Sequence, residues 1–350
     1  MLSTRYLNNS TAETNFRLKW IQIEVSSLCQ ASCIYCPHTA YRKLWLGRLF
    51  PEALFSKLTS VFTHSDLVFL QGWGEPLLHP QFFDFIRIAK QHGSMVGTTT
   101  NGMLVNRDIA KQLVDSGLDI ISFSLAGSSL KNDLVRCGTS INHVLKAIEW
   151  VREERERRMS PTPRIHIAYL FLRSLASELE KLPSIAADAG AEKIVISTLS
   201  LIPDPSLTGE AFFTSETMWE EESKELQDLV KEHILKEASN WAGKIEVDLE
   251  TKKFHYKKTK PIQCPERPWD SLFIGSDGKV SPCVFLCLPV RRAPVDMFQM
   301  NFGSLANVSD AENILHRPSY QVFRESFEQG SLPFPCSRCA RRGTTYQGVS

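Results

Sequence analysis

The sequence predicts an α/β protein built on a parallel sheet and followed by a smaller, cysteine-rich unit. Three observations carry this. Strand-like and helix-like segments alternate from residue 18 to about residue 198. The alternation breaks at 202–213, where Pro203, Pro205 and Gly209 read as a loop. Five of the nine cysteines then fall in the last hundred residues. A chain of 350 residues, 43% hydrophobic and 23% charged, suits one large domain plus a small one.

In order, strands are predicted near 19–25, 67–71, 94–99, 119–124, 164–171 and 192–197, each an apolar or alternating run. The helices between them are Pro51–Phe62, Pro80–Gln91, Asn106–Ser116, Ser140–Arg158 and Leu175–Ala189, with a charged sixth around Glu216–Ala238. Pro51 and Pro80 suit a first helical turn. Units of this length imply right-handed crossovers, in an open sheet or a curved partial barrel. Lys244–Leu249 is strand-like again, and Asp277-Gly278 between two β-prone runs marks a hairpin. A domain boundary is placed near 240, dividing an N-terminal extension (1–17), a main domain (18–240) and a C-terminal domain (241–350).

Composition narrows the function. A net charge of +1 gives no basic stripe for nucleic acid. The run from Lys252 to Lys258 reads as a solvated edge between domains, and the mixed charges of Arg152–Arg158 as an exposed helix face. No apolar run is long enough to span a membrane, and Met1–Asn15 lacks a signal-peptide core, so a cytoplasmic location is expected. Cysteines in such a compartment point to metal rather than disulfides.

The densest chemistry is Cys29-Gln-Ala-Ser-Cys33-Ile-Tyr-Cys36, directly after the first strand. Three clustered thiolates suit a soft metal centre and are one short of a closed tetrahedral set, which leaves an iron open to another ligand. A zinc knuckle or three buried thiols are the alternatives. The second strand ends in Gln71-Gly-Trp-Gly-Glu-Pro-Leu-Leu-His-Pro80, a Gly-rich turn that lets backbone approach a ligand, although a plain turn has the same form. The third runs into Thr98-Thr-Thr-Asn-Gly102, and the fourth places Ser122 and Ser124 on one face, with Arg136 twelve residues beyond. Near the end come Cys264, then Cys283 beyond the hairpin, then Cys336-Ser-Arg-Cys339. Four thiolates close a site, and spacing alone accepts zinc or iron–sulfur there.

Together these motifs resemble the radical S-adenosylmethionine (SAM) enzymes with a C-terminal SPASM or twitch extension. The resemblance implies a partial (β/α)6 TIM-like barrel with a small C-terminal α+β auxiliary-cluster domain. It implies that Cys29, Cys33 and Cys36 hold a [4Fe-4S] cluster whose fourth iron is chelated by SAM, with Tyr35 just before the last thiol. Gly74-Glu75-Pro76 matches the family's Gly-Gly-Glu-Pro motif for the SAM amino group, with Trp73 where the first of those glycines is usual. Ser124 is the counterpart of a serine on the SAM ribose or carboxylate, and Arg136 of a basic residue that pairs with the carboxylate. Cys264, Cys283, Cys336 and Cys339 imply one auxiliary [4Fe-4S] cluster, because the longer SPASM version needs about seven cysteines in this region. Cys287 and Cys137 are left over.

The implied activity is reductive cleavage of SAM to a 5′-deoxyadenosyl radical, hydrogen abstraction, and oxidation or crosslinking of a peptide or protein substrate, with the auxiliary cluster relaying an electron. An electron donor such as flavodoxin or ferredoxin is an implied partner. Peptide-modifying members often begin with a leader-binding domain, for which the stretch ahead of the first strand is too short. A small-molecule dehydrogenase, acting for instance on an aminocyclitol, is the alternative within the family, and a non-catalytic zinc-binding module the alternative outside it. No catalytic acid or base is indicated.

Overall fold

The computed structural model describes residues 17–252, 264–294 and 298–349; most of the N-terminal extension and of the Lys252–Lys258 run lie outside the described residues. The alternating segments form strands β1 (Leu18–Ile23), β2 (Ser65–Leu70), β3 (Met95–Thr100), β4 (Ile120–Leu125), β5 (Arg164–Phe171) and β6 (Lys193–Thr198). They pair parallel in chain order, as short βα units with right-handed crossovers require.

The C-terminal half is woven into this same sheet. β7 (Glu246–Lys252) lies parallel to β6, and β8 (Ser271–Ile274) lies parallel to β1, opposite Trp20–Ile23. β9 (Lys279–Ser281) returns antiparallel to β8 through Asp277-Gly278, with Gly278 in the left-handed region (φ +78°) as the predicted hairpin requires. β10 (Gly303–Ser304) and β11 (Thr344–Gly348) end an 11-stranded sheet ordered β10-β9-β8-β1-β2-β3-β4-β5-β6-β7-β11. Among the described residues its end strands do not pair with each other, so the sheet they form is open.

Each inner strand has one fully buried face. Ile21, Ile23, Val68, Leu70, Ile121, Phe123, Ile165, Ile167, Ile194 and Ile196 are inaccessible, and each such side chain contributes about 1.5–3 kcal/mol. The alternating positions Gln22, Ser124, Ala168 and Val195 are half-buried, which leaves the other face of the sheet partly open.

Helices α1 (Phe82–Gln91), α2 (Arg107–Asp115), α3 (Ile141–Arg157), α4 (Leu182–Ala189) and α5 (Trp219–Ile234) fill the crossovers; α6 (Pro318–Glu328) belongs to the C-terminal part. Two predicted helices differ from expectation. The segment from Leu175 to Ala189 is a 3-10 stretch, Arg173–Leu179, followed by α4, because Pro183 has no N–H to donate and fits only a first turn. The first crossover is Glu52–Phe55, Ser56–Leu58 and Thr59–Phe62, broken where Ser56 and Thr59 donate their hydroxyls to the carbonyls of Ala53 and Ser56. Pro80 lies just outside α1, whose N-cap is Gln81.

Candidate cofactor sites at the strand ends

The ends of β1, β2 and β3 are tied together by buried carboxylates. Glu24, just past β1, accepts from the Trp73 N–H (2.9 Å), from the Ser276 N–H (3.1 Å) and from the Ser276 hydroxyl (2.8 Å). Burial lifts it to about 7, against those three hydrogen bonds, which favour the anion. Gly72 leaves room for it, since a Cβ there would meet Glu24 Cγ at 2.3 Å. Gly74 has the same role against the cysteine loop, where a Cβ would lie 2.4 Å from the Ser26 carbonyl oxygen.

Glu75 is fully committed inside the protein. Its N–H donates to the Leu28 carbonyl (2.7 Å), and its carboxylate accepts from the Thr100 hydroxyl (2.7 Å), the Asn101 N–H (2.8 Å) and the Leu77 N–H (3.2 Å). Burial is the main influence on Glu75 and raises its pKa. Glu75 thus ties the second strand end to the third through its carboxylate and to the cysteine loop through its N–H. Asn101, which the sequence marked only as a turn residue, donates to Cys29 Sγ at 3.8 Å and accepts from Gln30 Nε2 at 3.1 Å.

Cys29, Cys33 and Cys36 are partly buried in one neighbourhood. Burial raises Cys29 to about 11 and Cys36 to about 12; Glu75 and Cys33 add to the rise of Cys29, and Cys33 and Cys29 to that of Cys36. Unliganded, Cys29 and Cys36 are therefore neutral, and a metal must displace their protons. A short antiparallel ladder pairs Ser32 with Cys137 and Cys33 with Arg136, which sets Arg136 beside the triad. Arg136 is buried, its Nη1 donates to the Tyr35 hydroxyl, and its Nε has no hydrogen-bond partner. Burial opposes the charge of Arg136, but Tyr35, Cys33 and Cys29 more than offset that and hold the guanidinium charged. The sequence-predicted Tyr35, Gly74, Glu75 and Arg136 thus gather at the triad. Ser124 sits half-buried on β4, paired through its backbone with β5, and its hydroxyl has no protein hydrogen bond among the described residues.

The second set is assembled from distant segments. Cys264, Cys283, Cys336 and Cys339 line one cavity of about 220 Å³, with Phe285, Leu286, Glu266 and Arg341 in its wall. The β8–β9 hairpin returns Cys283, and a 3-10 turn, Cys336–Arg338, presents the last pair. Burial lifts Cys264 and Cys336 to about 12 and Cys283 further. Arg341 is buried between Glu250 and Glu266, each 3.0 Å away. Cys287 is outside that lining and packs on Gly275, while Cys137 is exposed. Among the described residues, no three His, Cys, Asp or Glu side chains converge for a single metal ion. The donor sets, sulfur alone in both and beside a buried guanidinium in each, fit iron–sulfur clusters in kind: three thiols leave one iron open, four leave none. Among the described residues, no helix is long and apolar enough to cross a membrane.

Two sequence profiles match the chain, that of the Radical SAM superfamily over residues 23–163 and that of an iron–sulfur cluster-binding domain, SPASM, over 264–340. Among curated proteins, the chain is 24% identical over 188 residues to the tungsten-containing aldehyde ferredoxin oxidoreductase cofactor-modifying protein of Pyrococcus furiosus, covering 52% of each. The chain thus spans about half the length of that relative. It is 23% identical over 333 residues to the PqqA peptide cyclase of Gluconobacter oxydans, covering 93% of this chain and 83% of that one. Among solved structures, SuiB of Streptococcus suis bound to the precursor peptide SuiA superposes with a TM-score of 0.65 at 15% identity, covering 94% of this chain and 70% of that one, a likeness of fold. The two profiles imply a [4Fe-4S] cluster with SAM in the first region and auxiliary iron–sulfur chemistry in the second. The chain belongs to the radical SAM superfamily and carries a C-terminal SPASM-type iron–sulfur cluster-binding domain.

Proposed function

We propose that this chain oxidises or crosslinks a peptide or protein substrate by radical SAM chemistry, with Cys29, Cys33 and Cys36 at the SAM-binding cluster and Cys264, Cys283, Cys336 and Cys339 at one auxiliary [4Fe-4S] cluster. The observation that carries this is the pairing of an open three-thiol set with a closed four-thiol set on one continuous sheet. A [4Fe-4S] cluster held by Cys29, Cys33 and Cys36, with SAM at its open iron, would supply radical chemistry by one-electron reduction of the sulfonium. The likeness to the PqqA peptide cyclase across 93% of the chain favours a peptide.

The residues of this chain have defined tasks in that reading. Arg136 presents a permanent charge to the SAM carboxylate, with Nη1 spent on Tyr35 and other donors still available. Glu75 orients, through Leu28, Thr100 and Asn101, the turn whose backbone carbonyls accept from the SAM amino group. Ser124 offers a hydroxyl from β4 to the nucleoside. At the second site four thiolates leave no iron for substrate, which restricts that site to moving electrons. The domain limits 18–240 and 241–350 divide these tasks, with β7 and β8 holding the second region to the first.

Alanine at Cys29, Cys33 and Cys36 together tests this reading. The variant should lose 5′-deoxyadenosine formation and keep about four irons of about eight. Retained SAM cleavage would overturn the assignment.

A further inference from the structure

One concentration of charge takes no part in either cofactor site. Two loops, one running on from Cys36 and the other from Cys287, are zipped together: the Leu46 N–H donates to the Pro289 carbonyl (2.7 Å), the Arg291 N–H donates to the Leu44 carbonyl (2.8 Å), and Trp45 bridges Val290. The resulting strap exposes Arg42, Lys43, Arg48, Arg291 and Arg292. Among the described residues none of these five makes an ion pair. The whole chain has a net charge of only +1, so composition does not produce such a one-sign surface.

The strap is also bonded to the segment just ahead of the first cysteine. Trp45 Nε1 donates to the Ser27 carbonyl (2.8 Å), and the Ser27 hydroxyl donates to the Leu46 carbonyl (2.8 Å) and accepts from the Arg48 N–H (2.9 Å). Leu28 lies directly over Gly47, where a Cβ would meet its Cδ2 at 2.5 Å, and Leu28 is 40% exposed immediately before Cys29. The face therefore combines five cations with an exposed apolar residue adjoining the open thiol triad. That is the make-up of a small, transient, electrostatically steered redox interface.

We propose that this strap is the docking face for an acidic one-electron donor protein that reduces the three-cysteine cluster. The inference rests on the radical SAM reading above. The donor's reduced flavin or iron–sulfur centre loses one electron, the triad's cluster gains it, and no bond is made or broken. An acidic peptide substrate fits this face less well, because the groups assigned to SAM, Tyr35, Glu75 and Arg136, are buried or half-buried and none lies on the strap.

The test uses the cluster-loaded enzyme, reduced flavodoxin as the acidic donor, and dithionite as a small reductant that needs no docking. Cluster reduction is followed by stopped-flow absorbance, and SAM cleavage is measured in parallel. The wild type should be reduced by flavodoxin at a rate that falls with salt. R42E/K43E/R48E and R291E/R292E should each be at least about tenfold slower at low ionic strength and nearly insensitive to salt, with dithionite-driven SAM cleavage unchanged. Glutamine at the same positions should give an intermediate loss. Equal flavodoxin rates in wild type and variants would overturn the proposal, as would a salt-independent wild type or one that flavodoxin does not reduce. So would variants that keep the flavodoxin rate but bind substrate less well under dithionite. Absence of dithionite-driven SAM cleavage in the wild type would instead overturn the underlying reading.

Discussion

Replacing Arg136 by methionine removes a buried cation beside the triad while keeping most of its volume. The structure sets the size of the effect. Of the guanidinium donors, Nη1 goes to Tyr35 and Nε has no partner, so the group retains capacity for a SAM carboxylate. A hydrogen bond to a charged group is worth about 1.5–3 kcal/mol, which converts to a SAM affinity about 10- to 150-fold weaker. The substitution breaks no ion pair, because the guanidinium donates to the Tyr35 hydroxyl, a neutral group at ordinary pH whose pKa burial raises further, and the buried Glu75 carboxylate, which loses the nearby charge, keeps its three hydrogen bonds. The assay is equilibrium SAM binding to the anaerobically reconstituted protein, with iron content and thermal midpoint recorded on the same samples. Tyr35→Phe is the companion variant, expected to weaken binding less, since it frees Nη1 without removing the charge. Unchanged affinity in a folded, iron-loaded Arg136→Met variant would refute the reasoning and release Arg136 to a purely structural part in the Cys33–Arg136 ladder.

Alanine at Cys264, Cys283, Cys336 and Cys339 should lower iron from about eight to about four per chain, with SAM cleavage kept and oxidised product lost; normal product formation would refute the electron-transfer role. Glu24, with an ordinary value near 4.5 and a folded value of about 7, lets the folded state hold more protons between those limits. Its stabilising contribution is therefore complete below about 4.5 and is lost as pH rises through 7, by up to about 3 kcal/mol. Glu24→Gln should flatten that part of the urea-unfolding profile, and parallel profiles for the two proteins would count against it. Trp73 donates its indole N–H to the Val284 carbonyl (3.2 Å) and meets Phe285 edge-on. Trp73→Gly should lower unfolding free energy by about 2 kcal/mol, less than the roughly 3–5 kcal/mol of a fully buried large aromatic because Trp73 is half-buried, with SAM affinity little changed; an affinity loss at full stability would assign Trp73 to the SAM pocket.

The strands were legible because their signal is local. An apolar run such as Ile120–Leu125 carries its own period, and Asp277-Gly278 carries its own turn. The helix breaks were legible in principle, through Pro183 and the hydroxyls of Ser56 and Thr59, but an apolar period hides a break that leaves the buried positions in register. What the sequence did not reveal is long-range pairing. Nothing local to Leu272 states that it pairs with Ile21, or to Val247 that it pairs with Ile194, so the continuity of the sheet across both regions was hidden. The thiols were found from spacing and resemblance, but their supports were not. Glu24 looked like one polar residue in a strand, and Asn101 like a turn residue. Each becomes specific only through a partner about fifty or more positions away.

The central claim is that two iron–sulfur clusters, one open to SAM and one closed, stand on this fold. The most direct measurement is anaerobic reconstitution followed by iron and sulfide analysis and a 5′-deoxyadenosine assay with a low-potential reductant. The account predicts a brown protein with about eight irons and about eight sulfides per chain that cleaves SAM. A colourless protein holding zinc, with no sulfide and no 5′-deoxyadenosine, would contradict it.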